Sequence, residues 1–519
     1  MTDNQFDIIF IGSGIGTLCA ASLIAQSSNQ KILILEQHFK PGGFTHTFKR
    51  KQKYLWDVGV HYIGDLDENS MTRKIFDVIS DRQLKWNRMP EGFDKFVYPD
   101  FSFTQFSAEE KFKQDLIQKF PAERKSIIKY FSDISRITNF QGRRFAAHSG
   151  PWFVKPFANL TTLLNPRELA MTTKQYLDEN FTDYKLKALL TSQWGDYGLP
   201  PSKSSFIMSS LVVHHYLNGA WYPQGSAQNI YESISKVFEK NDVEVKLSHK
   251  VDQILVKDKR AVGVTGSHTN TGERFEYYAD KIVSNTGAEN TFLKLLPPDI
   301  SSKFKDRFSI FQSDNATSVS LYLGLKSSPA ELGLKGENWW IFQGYDHDLA
   351  YQKKDAWPTE KPPLIYLSLP SLKDNQNDHH TAEIISFSSF ERFAKWKEQP
   401  WKKRDQDYQT LKEKMTKSLI SIVEEKIPGF REIIEYSELS TPLSNLYFGN
   451  QPRGGIYGTI AIPERFNKNN SDIFSVTTPI KNLYQTGADA ATAGIAGALA
   501  GGMLCAGEIT AGASYRLLF

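Results

Sequence analysis

The first residues of the chain that could do chemistry form the turn Gly12-Ser13-Gly14-Ile15-Gly16-Thr17, which directly follows the apolar residues 8–11. In such a turn the first glycine allows a sharp bend, and the second lets a pyrophosphate approach the backbone. A helix that begins there directs free N–H groups and its positive dipole end toward the anion. The pattern predicts a dinucleotide-binding turn. Thr17 stands where a third glycine is usual, and we expect it to be a packing variant without a chemical role.

A carboxylate at the end of a second predicted strand supports this interpretation. Residues 31–35 form another apolar run, and Glu36 follows it 24 positions after Gly12. That spacing suits a side chain that accepts hydrogen bonds from a ribose hydroxyl, and its charge disfavours the 2′-phosphate of NADP. The pair Gly42-Gly43 comes soon after. A longer dinucleotide needs such a pair because its second half passes over more backbone.

The elements that must position these residues follow from hydrophobic periodicity. Residues 8–11 and 31–35 do not alternate, which is typical of parallel strands covered on both faces. Residues 409–425 are predicted to form a helix that ends at Pro428-Gly429, and a helix of small residues is predicted to start at Gly494. Further strands are predicted at 93–98, 243–247, 251–254, 261–264, 281–283, 319–323 and 364–369, and from 483.

The order of these elements predicts a discontinuous domain. The dinucleotide pattern lies at both ends of the chain and in its middle, so we predict an α/β fold with a Rossmann-like domain. This domain is expected to comprise residues 1–70, 223–290 and 455–519. An inserted, mixed α+β substrate-binding domain is expected to comprise residues 71–222 and 291–454.

Composition limits the classes of function. The 519 residues are 40% hydrophobic and 23% charged, as in soluble globular proteins. The formal net charge of +4 is too small to indicate nucleic-acid binding, but it is compatible with an anionic membrane surface. The two cysteines, Cys19 and Cys505, predict a reducing compartment, and the N-terminus lacks the basic region of a secretory signal. We therefore expect a cytoplasmic protein, with peripheral contact to the cytoplasmic face of the membrane.

Several longer motifs carry a resemblance to a known family. The chain resembles the phytoene desaturase, carotenoid isomerase and retinol saturase flavoproteins, and it is most similar to the retinol saturase branch. Three positions depart from the pattern, namely Thr17, Phe44 and Ser226. The matching segments, in chain order, are GSGIG, LEQH followed by GG, DVGVHYIG (57–64), SQWGDYGLPPS (192–202), HHYLNGAWYPQGS (214–226), VSNTGA (283–288), GGIYG (454–458) and TGADAATAGIAGALAGGMLCA (486–506).

The resemblance implies a non-covalently bound FAD in a domain of the amine oxidase or phytoene desaturase type. Glu36 would hold the adenosine ribose, Val251 would pair its backbone with adenine, and Asp489 would face the ribityl and pyrophosphate region. Helix N–H groups near Ile495 would face the flavin C2 carbonyl, where the reduced ring carries negative charge. The cofactor-binding residues implied are Gly12, Gly14, Ile15, Gly16, Glu36, Gln37, Gly42, Gly43, Val251, Gly487, Asp489 and Ile495.

The resemblance also suggests where the reaction takes place. Saturation of an alkene adds a hydride to one carbon and a proton to the other, so a proton donor should lie beside the flavin. His61 and Tyr62 are the first candidates, because related flavoproteins pass this segment along the isoalloxazine ring; Tyr457 is a further candidate. Asp196 in WGDYG could be catalytic, but a capping or turn role is the alternative we favour.

Two histidine pairs and two segments of basic and aromatic residues bear on metal and membrane binding. His214-His215 and His379-His380 are poor chelates if they lie on strands, where neighbours point to opposite faces, so we expect no metal site. Basic and aromatic residues at 141–145 and 151–157 could dip into a bilayer and admit a lipid, but packing against the core explains them equally well.

These observations predict an FAD-dependent oxidoreductase that saturates or desaturates a carbon–carbon double bond of a polyene or isoprenoid lipid. One alternative is a redox-neutral cis–trans isomerase of a carotenoid or an unsaturated fatty acid that needs reduced flavin. The other is a non-catalytic carrier of prenyl groups or lipids on the same fold, against which Glu36, Gly42-Gly43 and Asp489 argue. The sequence leaves the lipid and the electron donor or acceptor open.

Overall fold

The computed structural model describes residues 4–149, 166–312, 314, 316–374 and 379–519. Its strands are β1 Gln5–Ile11, β2 Ile32–Leu35, β3 Thr47–Arg50, β4 Tyr54–Asp57, β5 Trp86–Arg88, β6 Gly92–Val97, β7 Ser102–Phe106, β8 Trp221–Pro223, β9 Glu244–Lys246, β10 His249–Lys257, β11 Arg260–His268, β12 Arg274–Ser284, β13 Ser318–Leu325, β14 Asn338–Phe342, β15 Leu364–Ser368, β16 His380–Phe387, β17 Ile434–Ser440 and β18 Leu483–Gln485. The longer helices are α1 Ile15–Ser27, α2 Met71–Ile79, α3 Glu109–Lys119, α4 Arg124–Ser149, α5 Thr173–Asn180, α6 Tyr184–Leu190, α7 Phe206–His215, α8 Gln228–Lys240, α9 Lys305–Gln312, α10 His347–Gln352, α11 Gln406–Lys426, α12 Pro442–Gly449 and α13 Gly494–Ile509.

The first sheet carries the predicted dinucleotide turn. Its strand order is β10-β11-β12-β1-β2-β9, and β18 also pairs with β12. β1 runs parallel to both β2 and β12, so its carboxyl end meets theirs at one edge. Ile8, Ile9 and Phe10 are fully buried, because the sheet is covered on both faces as the lack of alternation predicts. The glycine turn and Glu36 therefore lie side by side at this edge.

β12 is longer than the sequence predicts. The predicted strand covered only residues 281–283, but β12 spans Arg274–Ser284. Its first half pairs antiparallel with β11, while its second half pairs parallel with β1. The first half alternates between exposed and partly buried residues and is rich in charge, so its sequence shows no apolar run that would mark a strand.

The second sheet has the order β17-β13-β16-β15-β14-β6-β7 and is antiparallel except for the β14–β6 pair. One face packs against α11 in a core that includes Leu321, Ile341, Ile384 and Leu419. The opposite face carries the intervening residues and borders the cavity described below. This face is where the second sheet meets the candidate site.

Helices α1 and α13 approach each other closely behind the glycine turn. A Cβ on Gly16 would lie 2.4 Å from the Cα of Gly487, and one on Gly502 would lie 2.5 Å from the carbonyl oxygen of Gly16. The close approach that a third glycine normally provides is therefore made at Gly16. Thr17 points elsewhere into the core and is fully buried.

The strands fall into the predicted segments. Those of the first sheet come from residues 5–35, 244–284 and 483–485, and those of the second sheet from 92–106, 318–387 and 434–440. The domain boundaries themselves stay a prediction. In the described part of the chain, no helix combines the length and the apolar character that crossing a membrane requires.

Candidate active site

A cavity of about 1240 Å³ lies between the two sheets. One wall consists of the loops that follow β1, β2 and β12, and the opposite wall is one face of the second sheet. The volume exceeds the ~300–1,000 Å³ usual for a drug-sized ligand, so it can hold a dinucleotide and a further ligand. The residues predicted from the sequence that line it are Gly12, Gly14, Ile15, Gly16, Glu36, Gln37, Gly42, Gly43, His61, Tyr62, Val251, Tyr457, Asp489 and Ile495.

Glu36 lies where β2 ends, and neighbouring donors hold its carboxylate in place. Oε2 accepts hydrogen bonds from the Ser13 backbone N–H at 2.8 Å and from the Ser13 hydroxyl at 2.7 Å. Oε1 accepts one from the His38 N–H at 2.8 Å. A carboxylate has about four lone-pair sites, so this arrangement leaves an acceptor for a ribose hydroxyl.

The two glycine motifs lie against each other. Gly14 and Gly42 form an isolated parallel bridge, and the Gly42 N–H donates to the Ser13 hydroxyl at 3.0 Å. A Cβ on Gly43 would lie 3.0 Å from the Cα of Gly14. Because no side chain separates the motifs, the first turn of α1 presents bare backbone to the cavity. That surface fits a pyrophosphate.

Gly487 does not line the cavity. It lies behind the turn, where a Cβ would be 2.2 Å from Oδ1 of Asn285. The Asn285 side chain also fits against Gly14, whose Cβ would be 3.0 Å from Nδ2. Gly487 is thus a packing position that admits Asn285, a cavity-lining residue that the sequence did not single out.

Asp489 joins three loops at the cavity wall. Its carboxylate accepts hydrogen bonds from the Ala288 N–H at 2.7 Å, the Thr459 N–H at 2.9 Å and the Thr459 hydroxyl at 3.0 Å. Arg465 lies 3.5 Å from Oδ1. Protein donors therefore occupy most of this carboxylate, and its predicted contact with a ribityl chain stays a prediction.

The start of α13 faces the cavity without obstruction. Gly494 has a φ of 85°, and a Cβ there would meet no atom within 4 Å. The free N–H groups of this helix, including that of Ile495, therefore border open space. Of the other implied contacts, Val251 pairs in register with Gly266 on β11, and Gln37 donates from Nε2 to the Phe448 carbonyl at 3.1 Å.

The face of the second sheet changes character from one side to the other. Strand register places Trp340, Tyr366, Ile385, Ser320 and Ser440 in one row across β14, β15, β16, β13 and β17. The cavity floor is therefore aromatic and apolar under three strands and hydroxyl-bearing under the last two. A parallel row beneath the His61 turn holds polar side chains, four of them titratable, namely Asp94, Glu383, Tyr322 and Glu438, with Asn338 and Ser368 between Asp94 and Glu383.

Tyr62 lies between two buried carboxyl groups. Its hydroxyl is 2.7 Å from Oδ2 of Asp196 and 3.2 Å from Oδ2 of Asp94. A phenol has one proton and can donate to only one of them, so the other contact needs a proton on a carboxyl group. Asn338 and Gln193 also donate to Asp94 at 2.8 and 2.9 Å, which favours its charged form.

The proton therefore belongs on Asp196, which has no hydrogen-bond partner other than Tyr62 among the residues that the structure describes. Burial and the neighbouring charge of Asp94 raise the pKa of Asp196 well above its usual range. Burial also raises the pKa of Asp94, to about 6. Asp196 is the last residue of the short 3-10 helix Ser192–Asp196, so it lies in a turn, and it also lines the cavity.

His61 lies beside a second buried carboxylate. Its Nδ1 is 3.2 Å from Oε2 of Glu383, which is fully buried on β16, although the angle is poor for a hydrogen bond. Lys373 holds the turn by donating to the His61 carbonyl at 2.8 Å, to Asn338 at 2.6 Å and to Ser368 at 2.7 Å. Burial lowers the pKa of Lys373 to about 7, against the opposing effect of nearby carboxylates.

Tyr457 shares the cavity with these groups. Its ring packs near Gly198, and burial raises the pKa of its hydroxyl well above its usual range. Tyr62 stacks on Tyr216 with ring centres 4.3 Å apart, and Tyr366 stands 5.5 Å from the His61 ring. The predicted residues His61, Tyr62 and Tyr457 thus line one cavity, and the unpredicted Glu383 lies beside His61 without lining it.

The strand assumed for His214-His215 is wrong, because both residues lie in the last turn of α7. His215 Nε2 accepts a hydrogen bond from the Gly64 N–H at 2.8 Å, and burial lowers the pKa of this imidazole to about 3. Within the described ranges, no three His, Cys, Asp or Glu side chains are grouped as metal ligands.

The structure describes only one of the two segments for which the sequence suggests bilayer contact. Residues 141–145 lie in α4, where Arg143 is exposed and Phe145 borders the cavity. Residues 151–157 lie outside the described residues. The structure therefore places one end of this region at the cavity.

Thr17→Gly tests whether the unusual third position touches a cofactor. Thr17 is fully buried, and its hydroxyl has no hydrogen-bond partner, so we expect flavin retention equal to the parent protein. The free energy of unfolding should change by about 1 kcal/mol at most, since the loss of an unsatisfied hydroxyl offsets the cost of glycine in a helix. Thr17→Val serves as the control that keeps the shape. Loss of flavin in both variants would show that the hydroxyl contacts the cofactor.

Comparison with known proteins extends over nearly the whole chain. A family model described as an NAD(P)-binding Rossmann-like domain matches residues 11–79. The all-trans-retinol 13,14-reductase of Danio rerio is 33% identical, and the alignment covers 97% of this chain and 86% of that protein. The chloroplastic prolycopene isomerase of Daucus carota is 25% identical, with 98% and 80% covered.

Solved structures show the same fold at low sequence identity. An oxidoreductase from Methanosarcina mazei superposes with a TM-score of 0.64 at 13% identity, over 96% of this chain and 99% of that one. Cyclohexylamine oxidase from Brevibacterium oxydans gives 0.60 at 13%, over 98% and 99%. The predicted fold of the amine oxidase type is confirmed, and with the Rossmann-like match it supports a dinucleotide cofactor of the flavin type. The relatives aligned end to end show that the chain belongs to the phytoene desaturase, carotenoid isomerase and retinol saturase family.

Proposed function

We propose that this protein is an FAD-dependent oxidoreductase that saturates or desaturates a carbon–carbon double bond of a retinoid- or carotenoid-like polyene. The observation that carries the proposal is the single cavity, in which a glycine-rich dinucleotide cradle continues into an aromatic chamber bordered by proton-bearing groups. The relatives named for all-trans-retinol and prolycopene indicate the class of substrate.

The residues present fit FAD. The bare backbone at Gly14 and Gly43 and the first turn of α1 would hold the pyrophosphate, Glu36 the adenosine ribose, and the start of α13 the flavin C2 carbonyl. FAD, when bound, supplies two-electron chemistry by exchanging a hydride with one carbon of the double bond. The chain must orient the polyene, exclude water and exchange a proton with the other carbon.

We assign that proton to Asp196. In saturation its carboxyl group gives the proton to carbon, and the Tyr62 hydroxyl, with Asp94 behind it, stabilises the carboxylate that results. In desaturation the same carboxylate accepts the proton. His61, the donor predicted from the sequence, remains the second candidate, since its ring lines the cavity and its Nδ1 lies 3.2 Å from Glu383. Tyr457 remains a third.

The aromatic part of the floor would orient the substrate. Trp340, Tyr366 and Phe387 present flat apolar surfaces on which a conjugated chain can lie. Such contacts recognise length and planarity but not the position of a bond. The position of the chain along the floor therefore decides which bond meets Asp196.

Glu36→Ala tests the cofactor assignment. Loss of the carboxylate leaves buried ribose hydroxyls unpaired, so FAD affinity should fall about a hundredfold, which is about 2–3 kcal/mol. The measurement is flavin absorbance after dialysis, with Glu244→Ala as the control, since Glu244 is exposed on the neighbouring strand β9. Equal retention of flavin in Glu36→Ala and the parent would contradict the assignment.

The experiment that tests the proposed function uses reduced holoprotein without oxygen and a panel of retinoids, carotenoids and unsaturated fatty acids. The expected result is a product two mass units heavier than its substrate, with consumption of reductant. An isomer of unchanged mass without net consumption of reductant would favour the cis–trans isomerase. A colourless protein without flavin that still binds polyenes would favour the carrier.

Membrane contact is part of the same proposal, because a polyene substrate resides in lipid. Phe145 borders the cavity at one end of α4, and the segment considered for insertion follows this helix. Sedimentation with anionic and neutral vesicles tests it. Equal recovery in the supernatant with both would argue against peripheral contact.

A further inference from the structure

The end of the cavity under β13 and β17 differs from the aromatic chamber. Its floor carries Ser318, Ser320 and Ser440, and Tyr322 is the aromatic side chain that β13 adds on the same face. Four inter-strand steps separate β14 from β17, so the two ends of the floor are about 19 Å apart. The cavity is therefore long and amphipathic, apolar where the carboxyl groups stand and polar at the other end.

Arg404 lies at the polar end and is 8% exposed. Its guanidinium makes two long hydrogen bonds, from Nε to the Trp396 carbonyl and from Nη1 to the Tyr408 hydroxyl, both at 3.4 Å. Among the described residues it forms no ion pair, and Nη2 has no partner. A buried guanidinium with an unused side is costly unless an anion completes it.

Lys412 stands one helical turn from Tyr408 on the same helix, α11, and also lines the cavity. Its ammonium nitrogen lies 5.5 Å from the centre of the Tyr408 ring and makes no hydrogen bond or ion pair within the described part of the chain. Burial lowers the pKa of this lysine; the charge of Glu438 opposes that shift, and the charge of Arg404 adds to it. Two cations therefore share this end of the cavity.

The carboxylate nearby does not neutralise them. Glu438 on β17 is held by Arg50, which donates from Nε at 2.7 Å and from Nη2 at 3.0 Å, and it also accepts from the Tyr436 hydroxyl at 2.8 Å. One arginine thus balances this glutamate. Glu438 also acts on Lys412, but one carboxylate among Arg50, Arg404 and Lys412 leaves an excess of two positive charges. Arg404 and Lys412 both border a cavity that continues to the aromatic chamber.

We propose that Arg404 and Lys412 bind the anionic head group of the apolar substrate, so that the preferred ligand is a lipid acid with its carboxylate at the β17 end and its hydrocarbon over the aromatic floor. The inference rests on the proposed function, because it names the class of lipid for the same cavity. The chain would then be anchored by its head, and the distance from head to double bond would select the bond that meets Asp196.

Paired probes with the same hydrocarbon test this site. All-trans-retinoic acid and all-trans-retinol are titrated into oxidised holoprotein, and binding is followed by quenching of tryptophan fluorescence, since Trp340 and Trp401 line the cavity. The parent should bind the acid at least about tenfold more tightly than the alcohol. Arg404→Gln and Lys412→Met should each weaken acid binding by about 10- to 100-fold, the usual effect of losing a charged hydrogen bond, and leave alcohol binding unchanged.

Controls separate this site from the cofactor and from general charge. Lys403 is an exposed lysine one position before Arg404. Lys403→Gln should change neither the affinity for the acid nor that for the alcohol. If Arg404→Gln fails to fold, Lys412→Met carries the test. Displacement of the acid by millimolar inorganic phosphate alone would identify a free-phosphate site and overturn the lipid assignment.

Two further results would overturn the proposal: equal affinity of the parent for acid and alcohol, or loss of flavin in Arg404→Gln and Lys412→Met, which would assign the cations to the cofactor. The binding assay needs no turnover. If the acid binds as expected but no polyene is converted, the proposed function fails and this site stands. If polyenes are converted without preference for acids, the proposed function stands and this site fails.

Discussion

Asp196→Asn is expected to lower the rate of saturation by about 10²–10⁴-fold, the usual contribution of a positioned acid or base. The variant keeps the size of the side chain and a hydrogen bond with Tyr62, but it has no acidic proton to give. Flavin content and polyene affinity should equal those of the parent, because Asp196 stands outside the glycine cradle. The measurement is single-turnover reoxidation of reduced holoprotein by a polyene, with Asp299→Asn, at an exposed aspartate, as the control.

The pH dependence of this step follows from the raised pKa of Asp196. The acid form is the active donor, and it persists to a pH at which an ordinary aspartate has lost its proton. The single-turnover rate should therefore stay constant at pH values where an ordinary aspartate is already ionised, and fall only as the pH rises through the raised pKa. Tyr62→Phe removes the hydroxyl between the two carboxyl groups, so it should change the pH at which the rate falls. A rate for Asp196→Asn within a few-fold of the parent at every pH would exclude Asp196 as the donor.

His61→Ala is expected to lower the same rate by about 10²-fold while flavin binding is retained. The ring lines the cavity and would stabilise charge that develops on the polyene, and electrostatic contributions of one group are typically ~10²–10³-fold. His61→Gln should be nearly as slow, since it fills the space without the imidazole. Glu383→Gln should show a smaller loss, because it removes only the partner of the ring.

The comparison with Asp196 decides the role of this histidine. Reduction of the flavin by an artificial donor should be unaffected in every His61 variant, because that half-reaction needs no proton at the alkene. A rate for His61→Gln within a few-fold of the parent would show that the ring only fills space. If His61→Gln loses more of the rate than Asp196→Asn does, His61 is the proton donor, as the sequence predicts.

The dinucleotide cradle could be predicted from the sequence because it is local. Gly12, Gly14 and Glu36 lie at the ends of adjacent parallel strands, and the strand–turn–helix pattern places such residues at one edge. Gly42 follows closely in the chain, so its approach to Gly14 needs no long-range information. The sequence placed Gly487 in the same set, but this glycine serves the packing of α1 against α13.

The titratable row beneath the His61 turn could not be predicted. Asp94 and Glu383 meet Tyr62 and His61 only because β6, β14, β15 and β16 pair in a particular register, and register depends on contacts across several hundred residues. A hint was present in each strand, since both carboxylates stand among inward-facing apolar residues of an alternating pattern. Asp196 looked like a turn residue because WGDYG is rich in turn formers.

The polar end of the cavity could not be predicted from the sequence either. Arg404 precedes a helix that was predicted only from residue 409, and nothing in its neighbourhood shows that α11 begins earlier and brings its first turn to the cavity. Its lack of a partner is a property of the folded chain. Burial, which reveals an unpaired cation, has no counterpart in composition or spacing.

The central claim is that reduced flavin in this cavity reduces a polyene double bond, and single-turnover product analysis tests it most directly. Reduced holoprotein is mixed with one equivalent of polyene without oxygen, and flavin absorbance and product mass are followed together. The account predicts flavin reoxidation at the rate at which a product two mass units heavier appears, with both slowed alike in Asp196→Asn. Flavin that stays reduced while the polyene is recovered at unchanged mass, as substrate or as isomer, would contradict it.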